Sequence, residues 1–333
     1  MAKRLKHSKK HKCKWIFKLG LLVAVCYLSF ECTTYYILKS KLATTNEEFL
    51  NQMLRDSNHY LLYEKSEKNI ISKMGKFLMD IDFSKPDTLL SMKQFSKSNK
   101  PEKTQVVYQE EEPKETGYIK NPVTEKNTEK TPRVYIYNSH QGENYSMKTL
   151  EPYNITPSVM MASYLLREHL NKAGIPTIVE ETNINEYMKT KGWNHARSYD
   201  ASREFVANTL KKYPDLELII DLHRDALPHD TSTITIGEKN YAKVLFIIGL
   251  NNKAYESNLS LATTISDKIN GKFPKLSRGI MKKQGATVNG RYNQDLNPNM
   301  ILMEVGANEN TIDEVQNTIE AIANIITEKL NGQ

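Results

Sequence analysis

Three short runs of this chain are apolar without a polar face: Val134-Tyr135-Ile136-Tyr137, Ile219-Ile220 inside 216–222, and Met300-Ile301-Leu302-Met303 inside 299–305. A strand with one wet face alternates apolar and polar residues, whereas one carrying apolar residues on both faces must be covered on both. The segments between them carry helical patterns. One runs from Val159 through Leu170, with Asn154 or Thr156 able to cap it, Pro157 in its first turn and Gly174 to stop it. Others cover 200–213, 256–270 and 312–330. A short strand is expected at 176–179, and two more at 231–236 and 242–250, paired antiparallel around 237–240. Strands alternating with helices predict an α/β fold, a three-layer mixed sheet flanked by helices.

Each of the three apolar strands ends in residues able to do chemistry. The first runs into His140 and Glu143. The second ends in His223, with Asp221, Arg224 and Asp225 beside it, and the third carries Glu304 between Met303 and Val305. In such folds functional groups gather at the carboxyl ends of the strands. Two imidazoles and a carboxylate are a donor set for catalytic zinc. A carboxylate in an apolar run is costly unless paired or protonated, and beside a bound cation Glu304 would serve as general base for amide hydrolysis. Each residue also has a plainer reading. His-x-x-Glu arises by chance, His223 suits a hydrogen-bonded core position, and Glu304 could pair with Arg224 or Arg291. His195 and His229, in loops, are the reserve ligands; His169 is expected on a helix surface.

Charge separates the chain into zones. The net charge is +7, and seven Lys and Arg fall within residues 1–14. Removing these from the 46 basic residues leaves 39, equal to the 39 acidic ones. The remainder is neutral, which argues against a nucleic-acid-binding domain. Residues 15–38 are mostly apolar and long enough to span a bilayer, so 1–14 is expected as a cytoplasmic tail and 15–38 as a transmembrane anchor, with the rest outside. A cleaved signal peptide is the rival reading. Cys13, Cys26 and Cys32 all lie in or beside this segment, so any metal site in the body must use nitrogen and oxygen. Apolar steps of three and four predict a helical juxtamembrane region within 39–82. Residues 83–132, rich in Lys, Glu, Ser, Thr and Pro, read as a polar linker, and 133–333 as the catalytic domain.

Several segments together resemble the stage II sporulation protein P family. They are Asn138-Ser139-His140-Gln141-Gly142-Glu143-Asn144-Tyr145, Ser198-Tyr199 with Ser202-Arg203, Ile220 to Ala226, Tyr292 to Leu296, and Leu302 to Gly306 with Asn310-Thr311. The likeness runs in order over roughly 133–330. It implies a membrane-anchored peptidoglycan hydrolase of forespore engulfment, a zinc N-acetylmuramoyl-L-alanine amidase with added endopeptidase activity. Its implied partners are stage II sporulation proteins D and M. The resemblance carries zinc ligation onto His140 and His223 and the catalytic acid onto Glu304. The wider amidase group has a zinc glutamate opening the first helix, where this chain has Ile155; the third ligand is therefore assigned to Glu143. Arg224, Arg203, Asn293 and Gln294 are candidates for holding substrate, or for a structural Arg–Asp network. A zinc carboxypeptidase and a non-enzymatic wall-binding recruiter are the competing functions.

Overall fold

The computed structural model describes residues 20, 25–30, 45–51, 53–54, 117–121, 131–147, 155–285 and 288–332. The chain divides into two compact units, 1–44 and 45–333. In the first, residues 20 and 25–30 are helical and exposed. Among the described residues no helix is long and apolar enough to cross a membrane. Most of the expected span at 15–38 lies outside the described residues, as does most of the helical region expected at 39–82. Of the latter, 46–51, 53 and 54 are helical, with Phe49, Leu50, Met53 and Leu54 buried.

The second unit is a six-stranded sheet between helices. Its strands are β1 (Val134–Tyr137), β2 (Thr177–Val179), β3 (Leu218–Asp225), β6 (Val244–Gly249), β7 (Ser277–Lys283) and β8 (Met300–Ala307). A separate two-stranded hairpin is formed by β4 (Thr233–Ile236) and β5 (Lys239–Ala242). The sheet order is β2-β1-β3-β8-β6-β7. The first four strands are parallel, β6 runs antiparallel to β8, and β7 is parallel to β6. The sheet is therefore mixed, and mostly parallel.

Side-chain alternation assigns the two faces. Tyr135 and Tyr137 of β1, Ile219 of β3 and Met300 of β8 meet Val206 of helix α3 (Ser198–Lys212). On the other face Asn138 accepts a hydrogen bond from Ser163 of α1 (Val159–Lys172), and α1 packs on the last helix, α5 (Ile312–Leu330). Helix α4 (Tyr255–Lys272) packs along β6 and β7. Helix α5 starts at a capping box: Thr311 accepts from the Glu314 amide while the Glu314 carboxylate accepts from the Thr311 amide. It buries Ile312, Val315, Ile319, Ile322, Ile325 and Ile326, each contributing about 1.5–3 kcal/mol. The first helix ends as expected at Gly174, whose φ of +81° lets the Ile175 amide return to the Leu170 carbonyl.

Four features differ from expectation. The segment 242–250 is not one strand paired with 231–236. At Lys243 the chain leaves the hairpin for the main sheet, and β6 pairs with β7 and β8 instead. Strand β7 was not expected, since Ser277-Arg278-Gly279-Ile280-Met281-Lys282-Lys283 shows no buried run. It is an edge strand with a register shift, where Gly279 adopts a φ of +87°. Helix α2 (Ile184–Thr190) was also missed, although Asn183 caps it by accepting from the Glu186 amide. His169 is half-buried rather than on the surface, with its Nε2 enclosed.

Arg203 of α3 ties that helix to the turn at Gln294–Leu296 through a two-pronged pair with Asp295, both contacts at 2.8 Å. The hydrogen bonds from Arg203 hold the Asp295 carboxyl below its ordinary value of 3.8. A depressed folded-state value means the stabilisation is present above the unfolded value and is lost as pH falls through the folded one. Arg203→Met should therefore lower the melting temperature by roughly 2–4 °C at neutral pH, as expected for a partly exposed pair worth about 1 kcal/mol. Thermal scans should show this difference shrinking as the pH falls below the ordinary value of 3.8.

Candidate metal centre

The site forms where β1 and β3 end side by side. Tyr137 pairs with Asp221, so the turn after β1 faces the last residues of β3. The Asp221 carboxylate is almost fully buried and is satisfied from that turn. It accepts the Ser139 amide at 2.9 Å and the Ser139 hydroxyl at 2.8 Å. Its third neighbour is His223 Nε2, at 3.0 Å. With the Nε2 proton held by the Ser139 hydroxyl at 2.8 Å, which itself donates to Asp221, His223 turns Nδ1 outward, the kind of outer support that orients a metal-ligating histidine.

Glu143 receives both imidazoles. His223 Nδ1 lies 3.3 Å and His140 Nδ1 3.2 Å from the same oxygen, Oε1. The other oxygen accepts the Arg224 amide at 3.0 Å. His140, Glu143 and His223 thus bring one donor atom each within 4.8 Å of one another. Burial pushes the Glu143 carboxyl up, but the charge of His223 and the hydrogen bonds from both imidazoles hold it well below the usual carboxylate range. Burial pulls His223 down, yet Asp221 and Glu143 together raise it well above an ordinary histidine. This excess of local negative charge is what a cation would answer. Two nitrogens and one oxygen fit zinc and leave a fourth position for a substrate or solvent atom.

Glu304 lies opposite His223 in the β3–β8 ladder, on the same sheet face. Among the described residues its Oε2 is buried with no hydrogen-bond partner, and Arg278 Nη2 stands 3.8 Å away. Arg278 is itself paired with Asp225. Burial, then the charges of Asp225 and Glu143, push the Glu304 carboxyl up to about 8. Arg278 was missed by sequence reasoning because it rides on the unrecognised edge strand β7.

The remaining candidates occupy distinct places. Arg224 donates Nε to the Asn144 carbonyl at 3.0 Å and Nη1 to its neighbour's carbonyl at 3.3 Å. Asn293 is buried and donates to the Tyr199 carbonyl and the Ser202 hydroxyl. Gln294 joins the Gly249 amide and Ile247 carbonyl. Arg203, Asn293 and Gln294 thus use these contacts to hold the 292–296 turn, in which Tyr292 and Asn293 take φ values of 52° and 59°. That turn sets the Tyr292 ring edge-on to Tyr199, which in turn stacks at 6.3 Å on His223. The ring of His195 approaches His140 at 4.9 Å, outside the three-residue donor group. His229 bonds Glu314 at 2.8 Å, in the capping network of α5.

Fold and site define a mixed α/β domain with a nitrogen–oxygen metal-type cluster at the carboxyl edge of its parallel strands. The chain belongs to the stage II sporulation protein P (SpoIIP) family, whose model matches residues 49–327. It is similar to stage II sporulation protein P of Bacillus subtilis (strain 168), with 34% identity over 205 residues, which cover 59% of this chain and 50% of that protein. The chain thus spans about half the length of that curated relative. Two solved structures are similar at lower levels. One is the CwlD amidase from Clostridioides difficile in complex with the GerS lipoprotein, at 13% identity and a TM-score of 0.41, covering 60% of this chain and 100% of that one. The other is an N-acetylmuramoyl-L-alanine amidase from Clostridium difficile 630, at 15% identity and a TM-score of 0.36, covering 61% and 100%.

A carboxyl whose folded value lies near 8 and whose unfolded value is near 4.5 destabilises the fold once pH exceeds the unfolded value. The unfolded chain then ionises while the folded one holds its proton, and the penalty grows until about pH 8. In metal-free protein, Glu304→Gln should match wild type in thermal scans near pH 4.5 and exceed it at pH 8, by on the order of 4 kcal/mol. Equal stability at both pH values would refute the buried, unpaired state of this carboxylate.

Proposed function

We propose that this protein is a zinc-dependent hydrolase of peptidoglycan that cuts the amide bond between N-acetylmuramic acid and L-alanine. The observation that carries this reading is the meeting of His140 and His223 on one oxygen of Glu143, with the desolvated Glu304 beside them on the same sheet face. Membership of the sporulation family supports the wall as substrate, in line with the resemblance set out above. Endopeptidase action on cross-links, work alongside stage II sporulation proteins D and M, and attachment to the membrane through 15–38 belong to the same proposal.

In this reading His140, Glu143 and His223 hold the zinc. The ion, when bound, supplies Lewis acidity at the scissile carbonyl and stabilises the charge that develops there. Everything else falls to the chain. Asp221 and Ser139 fix the ring of His223. Glu304 takes a proton from the attacking water and passes it to the departing amide nitrogen, which requires a carboxylate whose proton affinity lies near the working pH. Arg278, held by Asp225, keeps a positive charge close to Glu304 when its proton is lost. Tyr199 and Tyr292 wall the approach to His140 and His223.

His223→Ala should abolish release of stem peptides from purified peptidoglycan and lower bound zinc, both read by mass spectrometry. Glu304→Gln should keep the zinc and lose at least about a hundredfold in kcat, the scale of a lost general base. Free stem peptides identify the amidase; loss of single terminal D-alanine residues would replace it with a carboxypeptidase.

A further inference from the structure

The turn that carries His140 and Glu143 is gripped from behind by residues of the stretch expected as linker. Gly117 lies against it so closely that a β-carbon there would fall 1.8 Å from the Gln141 carbonyl oxygen and 2.5 Å from the Gly142 α-carbon. Only glycine allows backbone to approach backbone this closely. Two residues on, Ile119 is completely buried. The short run is anchored at each step. Ser158 donates its hydroxyl to the Gly117 carbonyl at 2.9 Å, and Tyr164 donates to the Ile119 carbonyl at 3.2 Å. Tyr118 and Asn121 both reach Glu181, by a main-chain and a side-chain contact respectively.

The far side of the same turn is clamped too. The buried Gln141 side chain donates to the Thr182 carbonyl at 2.8 Å and accepts the Ile184 amide at 2.9 Å. Ser158, the anchor of Gly117, also bridges to Asn144, next to Glu143. The turn therefore sits between two supports, and one of them lies before residue 133.

We propose that residues 117–121 form a positioning strap for the metal centre. Seating Gly117 and Ile119 fixes His140 and Glu143 at the spacing from His223 that a cation requires, so affinity for metal depends on a segment upstream of the sheet. This rests on the zinc reading above. Supports one step behind metal ligands typically alter affinity by about 10–100-fold.

The test uses the full chain with Gly117→Ala, Ile119→Ser and, as control, Ile326→Ala in the buried face of α5. Zinc affinity is read by chelator competition, and thermal stability alongside it. Both strap variants should raise the zinc Kd about tenfold or more, while the control loses stability and stays within about twofold of wild type. Wild-type affinity in the strap variants, or equal weakening in all three, overturns the strap. Absence of zinc binding by wild type overturns the zinc reading instead. The strap is then judged by backbone amide exchange at Gln141–Glu143, which Ile119→Ser should accelerate and Ile326→Ala should not; unchanged rates in Ile119→Ser reject it.

Discussion

The carboxylate of Asp221 is the pivot of this structure. Buried in the middle of β3, opposite the end of β1, it is tolerable only because Ser139 supplies two hydrogen bonds and His223 a third contact. Those bonds join the turn after β1 to β3. They also decide which nitrogen of His223 faces the site. One desolvated charge thus locks two strand ends together and selects the tautomer on which any ligation depends. Removing it would leave a buried imidazole uncompensated and cost the ligand turn both contacts that Ser139 makes to β3.

Around this pivot the site concentrates negative charge with little to balance it. Glu143 is held ionised by the two imidazoles, Asp225 is paired with the guanidinium of Arg278, and Glu304, buried beside the charges of Asp225 and Glu143, keeps its proton. Two neighbouring carboxyl groups are therefore driven in opposite directions by their surroundings. That divergence separates a group suited to gripping a cation from one suited to moving a proton.

Much of the fold could be read in the residues because β1, β3 and β8 are covered on both faces. Val134–Tyr137, Ile219-Ile220 and Met300–Met303 have no other stable placement. The same burial made His140, Glu143, His223 and Glu304 conspicuous, as polar residues at the ends of apolar runs. What stayed hidden lies at the edge. Strand β7 has one free margin and a bulge at Gly279, so its pattern is polar and out of phase, and Arg278 vanished with it. Lys243, where the chain passes from hairpin to main sheet, leaves no composition signal. Gly117 and Ile119 sit in a low-hydrophobicity stretch whose fit to the ligand turn is a matter of shape. Nor can composition separate a polar side chain that serves a turn from one that serves a ligand, and Asn293 and Gln294 hold the 292–296 turn.

Strand β8 is among the last elements in the chain, yet it lies in the middle of the sheet, parallel to β3 on one side and antiparallel to β6 on the other. A ribosome delivers both flanking halves before the piece that joins them. Until residues 300–307 emerge and insert, β6 and β7 have no attachment to β1 and β3 within the sheet, and Glu304 is absent. Order of synthesis therefore becomes a constraint: a nascent or carboxy-terminally clipped chain lacks both Glu304 and the strand that joins the two halves of the sheet.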